Sequence, residues 1–171
     1  MTTATVLRAA DAETLRSESY LLRLLLDSSD TGGAVSAHRV LLRNGAEGAS
    51  PHRHFTTTEL FYVLSGAVDV LAGDEVVHAQ DGDLVVVPPG VDHAFGASAG
   101  TDGELLVVVT PGIERFDFFR AVHDVITGAA DRSVLAGTEE KYDNHRAGAA
   151  VTDGWRASRP SAIPSERGDR P

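Results

Sequence analysis

Pro51-His-Arg-His-Phe-Thr-Thr-Thr-Glu59 is the stretch on which the reading of this 171-residue chain turns. It sets two histidines two residues apart and a carboxylate five residues beyond the second. In extended backbone, positions i and i+2 face the same way, so His52 and His54 can approach one ion together while Arg53 points to the other face. Glu59 opens the candidate strand 59–64, and a turn over 55–58 returns its carboxylate to the histidine face. Leu60-Phe-Tyr-Val-Leu64 is otherwise apolar, so an ionised Glu59 on the buried side is costly unless something positive compensates it. Two imidazoles and a carboxylate make up half or more of a typical non-haem transition-metal shell.

A further donor stands at His93, at the end of Pro88-Pro-Gly-Val-Asp-His93. The prolines and Gly90 force a turn after the apolar segment 84–87, and the residue after the turn is presented inward. A lone His or Glu is ordinarily solvated or hydrogen-bonded within the structure; spacing is what singles these four out. His38, His78, His123 and His145 share no such pattern and read as surface or structural residues.

The surrounding chain reads as many brief strands: 19–26, 34–43, 59–64, 67–71, 75–79, 84–87, 93–95 and 104–110. Between them fall Asp30-Thr-Gly-Gly33, Asn44-Gly45, Ser65-Gly66, Gly73-Asp74, Asp81-Gly82 and Pro88-Pro-Gly90, which carry turn chemistry. Short strands with such punctuation indicate an all-β sandwich or barrel. After Thr110 the period changes: Ile113, Phe116, Phe119, Val122 and Val125 recur every three residues and predict an amphipathic helix, stopped by Gly128. Asp131 can cap a second helix through about Tyr142. The expected organisation is an N-terminal arm over 1–30 packing on a barrel over 31–112, then a helical extension over 113–157. Residues 158–171, rich in Pro and Ser, read as a mobile tail.

Composition narrows the chemistry. With no cysteine, thiolate nucleophiles, disulfides and iron–sulfur clusters drop out, leaving His, Asp and Glu as metal ligands. Fifteen basic against 25 acidic residues give a formal net charge of −10, which disfavours nucleic acid and anionic membrane surfaces as partners. The acidic N-terminal region, with Asp11, Glu13 and Glu18, is unlike a targeting peptide, and the expected setting is cytoplasmic.

These motifs together resemble the cupin superfamily. His52, His54, Glu59 and Gly66 match its first motif, and Gly82, Pro88, Gly90 and His93 its second. Two departures stand at Ala46, where the first motif usually opens with Gly, and at Ala97, where the second often closes with Asn; neither position is a ligand in the family pattern. The resemblance implies a double-stranded β-helix, or jelly-roll barrel, with one or two C-terminal helices. It further implies one divalent metal on His52, His54, Glu59 and His93. Three nitrogens and one oxygen accept Fe, Ni, Co, Mn, Cu or Zn alike. Barrels of this family commonly pair, so a homodimer is expected, with 19–26 a candidate interface.

Alternation from Glu59 puts Phe61 and Val63 on the ligand face, and alternation from His93 adds Phe95. Phe116 and Phe119 on the downstream helix are candidates to cover the barrel mouth, and packing against the barrel is the plainer role for both. With no lysine in 31–125, an aromatic-lined and cation-poor cavity suits a flat phenolic substrate. The strand ending Leu-Leu-Val-Val-Val-Thr-Pro-Gly112 and the Phe-rich helix after it resemble the quercetinase-like cupins. That likeness implies a dioxygenase acting with dioxygen on a flavonol-like or other aromatic enol, with Glu59 both ligating the metal and taking the substrate's hydroxyl proton. Two alternatives stay open: a metal-dependent polyketide cyclase or isomerase, and a non-catalytic small-molecule-binding barrel.

Overall fold

The computed structural model describes residues 4–159. Its strands are β1 (Glu13–Arg16), β2 (Tyr20–Leu26), β3 (Ser36–Leu42), β4 (Glu47–Arg53), β5 (Thr58–Ala72), β6 (Glu75–Gln80), β7 (Leu84–Val87), β8 (His93–Ala97), β9 (Gly103–Thr110) and β10 (His145–Arg146). The ladder runs β1-β2-β3-β9-β5-β8-β4-β10, with β6 and β7 also paired to β5, and every pairing is antiparallel. This is the jelly-roll barrel expected from the short punctuated strands and the two motifs.

One strand holds the two layers together. The first half of β5 pairs with β9 and β7, its second half with β8 and β6. Ser65-Gly66, in sequence a turn between two strands, is instead a bend within β5, just after a register shift between Val63 and Ser65. Gly66 has φ +73, and a Cβ there would collide with the Asp102 carbonyl, so the bend requires glycine. Strict alternation supplies the interior. β3 and β9 bury every second residue, and Val40, Leu42, Leu105 and Val107 meet Leu22, Leu24, Phe61, Val63 and Val70 in one core. Each such side chain contributes about 1.5–3 kcal/mol by leaving water.

β4 is not among the strands expected from sequence, because Glu-Gly-Ala-Ser-Pro-His-Arg is neither β-branched nor alternating. It is held by tertiary pairing with β8, and Pro51 falls in the break of that ladder between Ala49 and His52, where no amide donor is needed.

The expected helix is α1 (Phe116–Thr127), ended by Gly128 in the left-handed conformation. Asp131 does cap, but it starts only a single tight turn, Arg132–Leu135, succeeded by the one-turn α2 (Glu139–Tyr142). A third helix, α3 (Ala149–Ser158), is not foreshadowed in the sequence, since its apolar positions are few and Gly154 interrupts it. Trp155 docks it, buried against Leu71 and Ala94. Arg159 then donates from Nη2 to the carbonyls of Gly45 (2.9 Å) and Ala97 (2.7 Å). The tail expected from Ser158 onward therefore begins with two anchored residues; 160–171 lie outside the described residues. No helix among the described residues is long and apolar enough to cross a membrane.

Candidate metal centre

His52 is the penultimate residue of β4 and is buried, His54 lies one residue past the strand, Glu59 stands at the start of β5, and His93 opens β8 directly opposite His52 in the β4–β8 register. All four are 1–4% exposed. One donor atom from each lies within 4.8 Å of the others. The imidazole centroids are 4.2 Å (His52 to His93), 4.9 Å (His52 to His54) and 5.0 Å (His54 to His93) apart.

The outer ring nitrogens decide what the inner ones can do. Nδ1 of His52 donates to the Ser50 carbonyl (2.8 Å), Nδ1 of His93 to that of Val91 (2.9 Å), and Nδ1 of His54 to that of Asp143. A carbonyl only accepts, so each Nδ1 carries the proton and each neutral ring presents an Nε2 lone pair inward. Nε2 of His93 and of His54 lie 2.8 and 3.3 Å from the same Glu59 oxygen, Oε2. Lone pair against carboxylate at that range is repulsive unless a positive charge sits between. A divalent cation supplies it without making buried imidazolium, so the donor set fits a metal.

Electrostatics agree. Burial drives the His52 imidazole well below the usual histidine range, and the neighbouring His93 adds to the shift, so His52 stays neutral as a ligand must. Burial pushes the Glu59 carboxyl up and the charge of Arg115 pulls it down; hydrogen bonds from His54 and His93 would hold it well below the usual carboxylate range, but they need protons on the Nε2 atoms, which the neutral rings carry on Nδ1 instead.

Three further residues belong to this neighbourhood, none of them singled out from sequence. Arg115 is buried, with Nη1 3.5 Å from Glu59 Oε1 and its guanidinium 5.6 Å above the Phe119 ring. The interior is thus not free of cations, contrary to the expectation drawn from the missing lysines. An arginine beside the start of a helix, where the dipole disfavours it, is the only hint in the sequence. His38 packs its ring 4.6 Å from Phe119, and burial takes it down to about 4, partly countered by the charge of Glu59. Its signal is legible: it shares the inward phase of β3 with Ser36, Val40 and Leu42.

Asp143 clamps the loop between His54 and Glu59. Its carboxylate accepts from the amides of Phe55 (2.8 Å) and Thr56 (2.9 Å) and from the Thr56 hydroxyl (2.6 Å), while its carbonyl orients His54. Nothing local in the sequence marks it.

Of the aromatic and aliphatic candidates, Phe61, Val63 and Phe95 sit in the core, with the Phe61 ring 6.1 Å from His93 and 5.2 Å from Phe95. Phe119 packs between His38 and Arg115. Phe116 packs on the core edge and borders a surface cleft of about 330 Å³ with Asp27, Glu114, Arg120 and Tyr142. Among the other histidines, His78 contacts Asp69 (2.9 Å) and His123 the Tyr20 hydroxyl (2.7 Å), while His145 stacks on Phe55.

The two motif blocks of this jelly-roll bring three histidines and a glutamate together in a group that could hold a metal ion. Residues 38–109 match the cupin domain family (Cupin_2), a span that contains both blocks and supports placing the barrel in the cupin superfamily. Among curated proteins none matches the chain significantly. Solved structures do. KdgF from a Halomonas species is 21% identical with a TM-score of 0.56, covering 68% of this chain and 99% of its own. A predicted oxalate decarboxylase from Thermotoga maritima is 22% identical with a TM-score of 0.54, over 61% and 97%. The polyketide cyclase RemF from Streptomyces resistomycificus is 19% identical with a TM-score of 0.53, over 64% and 80%. These likenesses establish a shared fold.

Proposed function

We propose that this protein is a metal-dependent cupin enzyme that holds one divalent transition metal on His52, His54, Glu59 and His93, and that it acts as a dioxygenase on a flavonol-like or other aromatic enol. The observation that carries the reading is the set of three imidazoles whose outer nitrogens are spoken for by backbone carbonyls and whose inner nitrogens meet one carboxylate. When bound, the metal supplies Lewis acidity toward a substrate oxygen and, for a redox-active ion, a route for electrons to dioxygen. Glu59 takes the hydroxyl proton at a carboxylate oxygen, and the Arg115 charge keeps that carboxylate ionised and ready beforehand. Phe61, Val63 and Phe95 keep the inner wall dry, which strengthens each of these interactions. A homodimer accompanies this reading, supported by the exposed apolar side chains Tyr62, Leu84 and Val86 on paired β5 and β7.

A non-redox reading, cyclisation or isomerisation, is favoured by one feature: Arg115 is a permanent cation beside the base and can steady an enolate with no electron transfer. Elemental analysis combined with an oxygen-electrode screen of flavonols and related enols tests both. Metal at one equivalent with oxygen uptake on turnover is the expected result. Turnover under strict anaerobiosis selects the non-redox reading, and a metal-free purified protein that takes up no added metal refutes both.

A further inference from the structure

Arg115 carries more than the proposed proton transfer needs. It is 4% exposed, and its Nε and Nη1 have no hydrogen-bond partner among the described residues. Among the described residues its one ionic neighbour is Glu59, which stands 3.5 Å from Nη1 and also contacts His54 and His93. Burying a guanidinium short of acceptors is costly, and a structure keeps one only where something offsets that cost. The side chain is also deliberately placed. The Asp27 carboxylate accepts from the Arg115 amide (2.8 Å) through Oδ1 and from the Phe116 amide (3.1 Å) through Oδ2, pinning the start of α1, and the Phe119 ring supports the guanidinium from below.

We propose that Arg115 is a substrate-binding residue, and that the substrate it receives is an acid: a small enol or phenol bearing a carboxylate, which the guanidinium binds through its unpartnered N–H groups. The inference rests on the metal-centre reading, since it places the substrate's hydroxyl toward His52, His54, Glu59 and His93. Charge favours a carboxylate over a phosphate. With a divalent cation bound, Glu59 and Arg115 cancel one another, so a ligand with one carboxylate and one hydroxyl whose proton passes through Glu59 to solvent leaves the interior neutral. A phosphate would bring a further charge, and no lysine lies in 31–125 to meet it. A guanidinium is also the side chain best matched to the two oxygens of a carboxylate.

Isothermal titration of zinc-loaded, redox-silent protein with salicylate, 3-hydroxy-2-naphthoate and the neutral salicylamide tests this, with zinc content measured before and after. The wild type is expected to bind the two acids at least about tenfold more tightly than salicylamide, as loss of a charge-assisted contact implies. Arg115→Gln is expected to erase that preference while zinc content and salicylamide binding persist. Arg115→Lys, which keeps the charge but not the fork, should restore part of it. Asp27→Asn, acting through the start of α1, should weaken the acids while leaving zinc in place. Equal binding of acid and amide by the wild type, or binding of neither acid, overturns the proposal without recourse to any variant. Failure of the wild type to retain zinc refutes the metal centre instead, and the two failures are separately visible.

Discussion

Removing the Asp143 side chain, in Asp143→Ala, strips the loop between His54 and Glu59 of three hydrogen bonds to one carboxylate. Each bond to a charged acceptor contributes about 1.5–3 kcal/mol when buried. Phe55 and Thr56 are themselves exposed, so water recovers part of the loss, and the expected destabilisation is about 2–3 kcal/mol rather than the full sum. The Asp143 carbonyl that orients His54 stays in the chain but is no longer anchored, so metal affinity should fall about 10- to 100-fold, the usual effect of losing an outer partner of a ligand. The same contacts set the pH dependence. Burial pushes the Asp143 carboxyl up, but the Thr56 hydroxyl and the Phe55 and Thr56 amides outweigh it and hold it below the ordinary aspartate value. A folded-state pKa below the unfolded one means that this stabilisation is complete above the unfolded value, about 3.9, and is lost as pH falls through the folded value. Urea unfolding of metal-free protein between about pH 3 and 7, with a chelator competition for the metal at neutral pH, measures both effects. If Asp143→Ala unfolds like the wild type and competes equally well for metal, the C-terminal clamp has no bearing on the site.

Replacing His52, His54 or His93 by alanine should empty the site with the barrel intact, because a jelly-roll core does not depend on its metal; normal metal content in these variants refutes the ligand set. Glu59→Gln is expected to keep part of the metal while losing proton transfer, so its turnover should drop by about two orders of magnitude or more, read by initial rates at matched metal occupancy. Gly66→Ala puts a Cβ against the Asp102 carbonyl at φ +73 and should cost about 1–3 kcal/mol or more in thermal unfolding; an unchanged melting temperature would show the bend in β5 to be tolerant. Trp155→Ala should undock α3 at a cost of about 3–5 kcal/mol of local stability, visible as hydrogen exchange in 149–158 that accelerates ahead of the barrel.

The cluster of His52, His54, Glu59 and His93 is readable in the sequence because its geometry is mostly local. His52 and His54 share a face through the period of an extended chain, and the turn chemistry before Glu59 and His93 is carried by a handful of residues. The inward phase of β3 makes His38 readable too, through its alternation with Val40 and Leu42, although no motif marks it. β4 and α3 are hidden for the opposite reason. Their own sequences are weak formers, and partner strands or a single docked tryptophan hold them in place.

By itself the sequence determined the class of fold, the pattern of residues that cluster as His52, His54, Glu59 and His93, and the point where barrel gives way to helix, since each is written in spacing of a few residues. Only the tertiary structure decided that Asp143 would hold the loop 87 and 88 positions before it, and that Arg115 would stand against Glu59 inside the barrel. Contacts between segments so far apart leave no period in the chain; they exist only once the strands have closed and the helical extension has folded back across them.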